Sequence, residues 1–230
     1  MGELTAVYIF GSVGRGQYDD RSDLDLLAVV RDGFGKVAEG DVLAHVPAPL
    51  RKLKPGISWY GQNRLAEMYK NGELFAWHLH LETIPLFQQV HFLASLGKPN
   101  PYTQAKEDVA SFHKVLQEIP EQLRLNRYNA VYETGLIYVC LRNIAMAASW
   151  VLCRAPDFSR YSPFNLGRVK NCPISVTEFE ATMTCRMAAQ RGLLPPTGID
   201  SQFALSVYGR LNAWIEEIRQ HLHRESKVGQ

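Results

Sequence analysis

At 230 residues the chain has length for one large domain or two small ones and for a sizeable core. Its 46% hydrophobic and 21% charged residues are those of an ordinary globular protein, and a net charge of +2 excludes strong polyelectrolyte character. Residues 1–100 carry 10 Lys and Arg against 11 Asp and Glu, and residues 101–230 carry 15 against 12, a slight basic bias compatible with an anionic acceptor such as RNA.

The first apolar run, Ala6-Val7-Tyr8-Ile9-Phe10, has strand length and ends in the turn Gly11-Ser12-Val13-Gly14-Arg15-Gly16. After a polar loop, Ser22-Asp23-Leu24-Asp25 leads a second strand-length run, Leu24–Val30. From Gly33 to Lys54 the pattern is mixed, with Val37, Val42, Leu43 and Val46 at helix-compatible spacings before Pro47 and Pro49 stop it. Ile57–Tyr60 predicts a short strand and Asn63 to about His80 a helix with Gly72 as its weak point. Ile84–Phe87 predicts a last strand that Pro85 confines to an edge. Strands alternating with helices predict an α/β (α+β) domain, a small sheet backed by helices, over residues 1–96.

Leu96-Gly97-Lys98-Pro99-Asn100-Pro101 reads as a linker, and residues 101–230 predict an all-helical bundle domain. Thr103–Ile119 is amphipathic. Tyr128–Arg154 is long and mostly apolar, and Arg142 within it predicts a buried ion pair or a place at the domain seam. The aromatic and basic loop Phe158–Phe164 is either a base or sugar contact or a packed loop. Thr177 and Glu180 form a capping-box pattern for a helix to Gln190, and Asp200 opens the last helix, to about Arg224. The four cysteines, Cys140, Cys153, Cys172 and Cys185, form no CxxC pair, so a zinc site is not expected. With no signal-peptide pattern and Arg142 interrupting the best apolar stretch, a cytoplasmic protein with no membrane span is expected.

The chemistry concentrates in the first thirty residues. Asp23 and Asp25, at i and i+2, emerge on one face of a strand just beyond a turn that can hold phosphate. Gly11 lets backbone approach an anion, Ser12 offers a hydroxyl and an N–H, and Arg15 adds a forked donor. A short helix from Val13 would add free N–H groups. The two carboxylates supply hard oxygen ligands for a divalent metal shared with substrate phosphates. These residues, GSVGRG followed by SDLDLLAVV, resemble the DNA polymerase β-like nucleotidyltransferase superfamily. They are most similar to its small bacterial branch of minimal and kanamycin-type nucleotidyltransferases. The resemblance covers roughly residues 6–30 by motif and reaches about residue 95 by element order.

The resemblance implies a transferase that moves a nucleoside monophosphate from a nucleoside triphosphate, such as ATP, to an acceptor hydroxyl. Gly11, Ser12 and Arg15 would bind nucleotide. Asp23 and Asp25 would be catalytic and hold Mg²⁺, or Mn²⁺ in its place. The acceptor, a small molecule such as an aminoglycoside, RNA or a protein, would occupy the helical domain and the cleft beside it. A homo-oligomer is compatible with the sequence. The superfamily's third carboxylate should stand on the strand Ile57–Tyr60, which contains no acid. The alternative is therefore a weak or inactive nucleotide-binding, antitoxin-like module. Glu82 could substitute for the missing acid with His78 and His80. The preferred reading makes His78 and Glu82 a solvated i,i+4 helix pair, with His80 on another face. Glu133, in an otherwise apolar helix, is either a base or a first-turn acid favoured by the helix dipole, the second being preferred.

Overall fold

The computed structural model describes residues 3–19 and 22–228. The chain divides between Thr103 and Gln104 into two compact units.

The N-terminal unit runs β1 (Leu4–Phe10), α1 (Gly11–Gly14), β2 (Leu24–Val30), α2 (Glu39–Leu43), β3 (Pro55–Gly61), α3 (Gln62–Asn71), α4 (Leu74–Glu82), β4 (Ile84–Gln88) and α5 (Phe92–Leu96). The strands form one mixed sheet in the order β3-β2-β1-β4; β1 is antiparallel to both neighbours and β2 is parallel to β3. Ala6, Tyr8, Phe10, Leu27 and Val29 pack on one face against Leu65, Met68 and Tyr69 of α3, Ala76 and Leu79 of α4, and Leu93 of α5. Val7, Ile9, Leu24, Leu26 and Ala28 pack on the other against Val42, Val46 and Leu53. Two covered faces explain why β1 and β2 read as continuous apolar runs instead of alternating ones. β4 lies at an edge, with Pro85 opposite Tyr8 and a register shift beside it; Pro55 opens β3 at the other edge.

Two expectations in this unit are corrected. The helix expected from Asn63 to His80 is two helices: Gly72 caps α3 in the left-handed conformation (φ +64°), and its Cβ position is filled by the Asn100 and Pro101 carbonyls. The apolar residues from Gly33 to Lys54 yield only α2 and a short 3₁₀ turn, Ala48–Leu50, because Val42 and Val46 are held by the sheet face instead of by a long helix.

The C-terminal unit contains α6 (Ala105–Leu125), α7 (Ala130–Leu152), α8 (Val176–Arg191) and α9 (Ser201–Val228). α6 continues past the expected end at Ile119 and through Pro120, because Ile119 and Leu123 are both buried on its packed side. α7 packs against the other three helices and is apolar nearly all round. Contrary to expectation, Arg127–Leu152 is long and apolar enough to cross a bilayer by length and composition, but most of its most apolar part is buried inside the protein, as in a core helix. Arg142 donates to the Phe158 carbonyl (3.1 Å) in place of the expected ion pair. The loop around it is packed: Phe158 is buried, and Tyr138, Tyr161 and Phe164 surround Phe179. The buried Cys140 and Cys185 thiols are pushed up to about 12 and about 11 by burial.

The capping box of α8 is Ser175 with Glu178, two residues before the expected pair. The Glu178 N–H donates to Ser175 Oγ (3.1 Å) and the Ser175 N–H to Glu178 Oε2 (2.8 Å). Arg210 of α9 donates to the same carboxylate. That hydrogen bond, more than those from Ser175, holds Glu178 down at about 2. A depressed carboxyl stabilises the fold above its ordinary 4.5 and loses that contribution as the pH falls toward about 2. With the two side chains 40% and 28% exposed, solvent screening limits the effect. Arg210→Met should cost about 1 kcal/mol at neutral pH. The deficit should shrink on acidification, as urea unfolding at a series of pH values will show.

Candidate active site

The site begins where β1 ends. Phe10 pairs with Asp25 across the antiparallel ladder, so the turn after Phe10 starts beside the Asp25 carboxylate. Gly11 has φ +68°, and a Cβ on it would overlap that carboxylate; both features demand glycine. α1 starts at Gly11, two residues earlier than expected, and closes through Arg15 N–H to the Gly11 carbonyl (3.0 Å) and Gln17 N–H to the Ser12 carbonyl (2.8 Å).

The loop before β2 is closed by Ser22. Its hydroxyl donates to Asp19 Oδ1 (2.9 Å) and accepts from the Asp19 N–H (3.0 Å), while Leu24 N–H donates to the Lys54 carbonyl (2.9 Å). Asp23 is thus fixed between two anchored residues. Asp23 and Asp25 are both half-buried. The sequence therefore places Gly11, Ser12 and Asp25 at one point of the fold, with Asp23 two residues along the same chain segment.

Among the described residues no three His, Cys, Asp or Glu side chains converge as a metal site. β3 carries no acid, and the residue paired with Asp25 is Gly56, with open space where its Cβ would be. The donors the chain offers are thus two neighbouring carboxylates. That set fits an ion such as Mg²⁺, which takes one or two protein carboxylates and draws further oxygens from substrate phosphates and water.

Glu82 does not join that set. It ends α4, where Oε2 lies 2.5 Å from Arg15 Nη1 and 2.7 Å from His78 Nε2. The pairing with His78 is the expected i,i+4 contact, but it is not solvated: the side chains of Glu82 and His78 are 8% and 11% exposed. The reason is α1, which packs on this end of α4 and covers it. His80 lies apart, with its ring edge-on to Trp77 and Tyr69. The sequence marks Arg15 as a donor suited to phosphate, and a contact spanning 67 residues leaves no local signal of Glu82.

Glu133 lies in the first turn of α7, as expected, yet is only 3% exposed and its Oε2 has no hydrogen-bond partner. Burial pushes its carboxyl above the ordinary range. The folded state then holds this proton more tightly than the unfolded chain does, and stability falls as pH rises through the raised value. Glu133→Gln should stabilise the protein at neutral pH by about 1–2 kcal/mol, with no gain in acid, as thermal unfolding against pH will register.

A four-stranded mixed sheet thus carries a Gly-Ser turn set against a strand-borne aspartate. Residues 2–107 match the family described as the nucleotidyltransferase domain. Among solved structures, the chain is similar to a nucleotidyltransferase-like protein from Exiguobacterium sibiricum 255-15. The two are 16% identical, with 95% of this chain and 69% of that chain covered at a TM-score of 0.35. No curated protein matches the chain.

Proposed function

We infer that the N-terminal unit transfers a nucleoside monophosphate from a nucleoside triphosphate to an acceptor hydroxyl and releases pyrophosphate. The observation that carries this reading is the packing of Gly11 on the Asp25 carboxylate, which sets the glycine turn and an acid side by side. Ser12 and the backbone N–H groups of the turn would receive the triphosphate, with Arg15 at its end. Asp23 and Asp25 would hold Mg²⁺, or Mn²⁺. When bound, the ion polarises the α-phosphate and offsets charge on the leaving pyrophosphate.

The acceptor oxygen forms its bond to the α-phosphorus as the bond to pyrophosphate breaks, and the hydroxyl proton leaves to solvent or a nearby base. The chain contributes position and fixed charge. The helical unit is the proposed acceptor-binding part. Its slight basic excess favours RNA or a protein over a polycationic aminoglycoside.

The acid-free β3, with Gly56 opposite Asp25, favours a second reading: a nucleotide-binding module without turnover, acting through a protein partner. Host extract supplied with each α-labelled nucleoside triphosphate and Mg²⁺ separates the two. Label transferred to an acceptor supports the transferase and identifies the acceptor. Metal-dependent binding without transfer supports the module.

A further inference from the structure

The Gly-Ser turn is held from outside itself. Arg15 closes α1, and its guanidinium reaches Glu82 through Nη1 (2.5 Å) and Gln17 Oε1 through Nε (3.3 Å). Glu82 also meets the turn through its backbone: a Cβ on Gly14 would overlap the Glu82 carbonyl. His78, one helical turn earlier, shares the same carboxylate oxygen at 2.7 Å. Its ring stands edge-on to Phe10 (5.5 Å), the residue paired with Asp25, and to Phe75 (6.0 Å). The Arg15 side chain is 16% exposed, so the group is largely shielded from water. Glu82, at the end of α4, thus meets the side chains of Arg15 and His78 through its carboxylate and Gly14 through its backbone carbonyl.

These contacts engage two of the guanidinium's three nitrogens. Glu82 takes Nη1 and Gln17 takes Nε, while neither engages Nη2. An unanchored arginine has many rotamers, and ordering it opposes binding; an anchored one presents a fixed donor. We propose that Glu82, supported by His78, is a positioning residue that holds Arg15 with its Nη2 edge set for the nucleotide's phosphates. Glu82 acts through Arg15 and binds neither metal nor nucleotide itself. This rests on the nucleotidyltransferase reading above.

The test is calorimetric titration of the full chain with Mg²⁺ and each nucleoside triphosphate. Arg15→Lys retains a cation for Glu82 but has no counterpart of Nη2. It should keep the melting temperature and weaken nucleotide binding about tenfold. Glu82→Ala should weaken binding by about as much, and Glu82→Gln, which retains a hydrogen-bond acceptor, should restore affinity to within about threefold of the wild type. In an Arg15→Ala background, Glu82→Ala should cause no further loss.

Wild-type affinity in Arg15→Lys overturns the proposal. So does an equal loss from Glu82→Ala with and without Arg15, which would mark a purely structural role. If Glu82→Ala does not fold, Arg15→Lys and Glu82→Gln decide the matter. A wild-type chain that binds no nucleoside triphosphate overturns the underlying reading, and the proposal with it.

Discussion

Asp25→Asn should abolish nucleotidyl transfer while the protein stays folded. The side chain is half-buried at the head of β2, opposite Phe10 and against Gly11. Asparagine has nearly the same shape, so the strand register and the turn should persist. The change removes one negative charge and half of the proposed metal-binding pair. Losing several kcal/mol of charge stabilisation corresponds to a fall in rate of about three orders of magnitude. Asp23→Asn should act alike, and the double variant should be little worse than either single one, because the pair acts as a unit. Label transfer from an α-labelled nucleoside triphosphate measures the rate, and circular dichroism confirms the fold. Transfer that survives in Asp25→Asn refutes the assigned mechanism.

The second large effect is expected from Gly11→Ala. Two penalties coincide: the backbone sits at φ +68°, and the new methyl group would overlap the Asp25 carboxylate. The left-handed conformation alone costs about 1–2 kcal/mol in a residue with a Cβ. The overlap must then displace either the turn or the acid. Destabilisation of about 3 kcal/mol is expected in urea unfolding, with transfer reduced about a hundredfold or more, since misplacement by about 1 Å is enough for that loss. Gly16 is the control. Its φ is +69°, but nothing lies near its Cβ position, so Gly16→Ala should show the backbone penalty without the loss of transfer. Equal effects at the two positions would mean that the contact with Asp25 is unimportant.

The parts of the fold legible in the sequence are those set by local pattern. Leu24–Val30 is the strand the apolar run predicts, and Pro85 marks an edge strand because proline cannot serve a central ladder. The Gly-Ser turn and Asp25 stand at the ends of two apolar runs, and the pairing of those runs as strands sets Gly11 against Asp25. What escaped depends on distant chain. Gly72 is legible as the weak point of a helix, but the Asn100 and Pro101 carbonyls that fill its Cβ position are not. In Ser175-Val176-Thr177-Glu178-Phe179-Glu180 two overlapping pairs fit the capping box, and the spacing alone does not choose. The burial of Glu82 and His78 follows from the docking of α1 on the end of α4, which no helical periodicity encodes.

The two prolines at the sheet's margins have a bearing on solubility. An open sheet presents unpaired N–H and C=O groups along its outer strands, a template on which another chain can add. Here Pro55 stands at the start of one outer strand and Pro85 within the other, each removing a donor, and the register shift beside Tyr8 further breaks the regularity of the second. Strand-by-strand growth into fibrils is therefore disfavoured at both margins. Any self-association of this protein should proceed through helical or side-chain surfaces instead of through extension of the sheet.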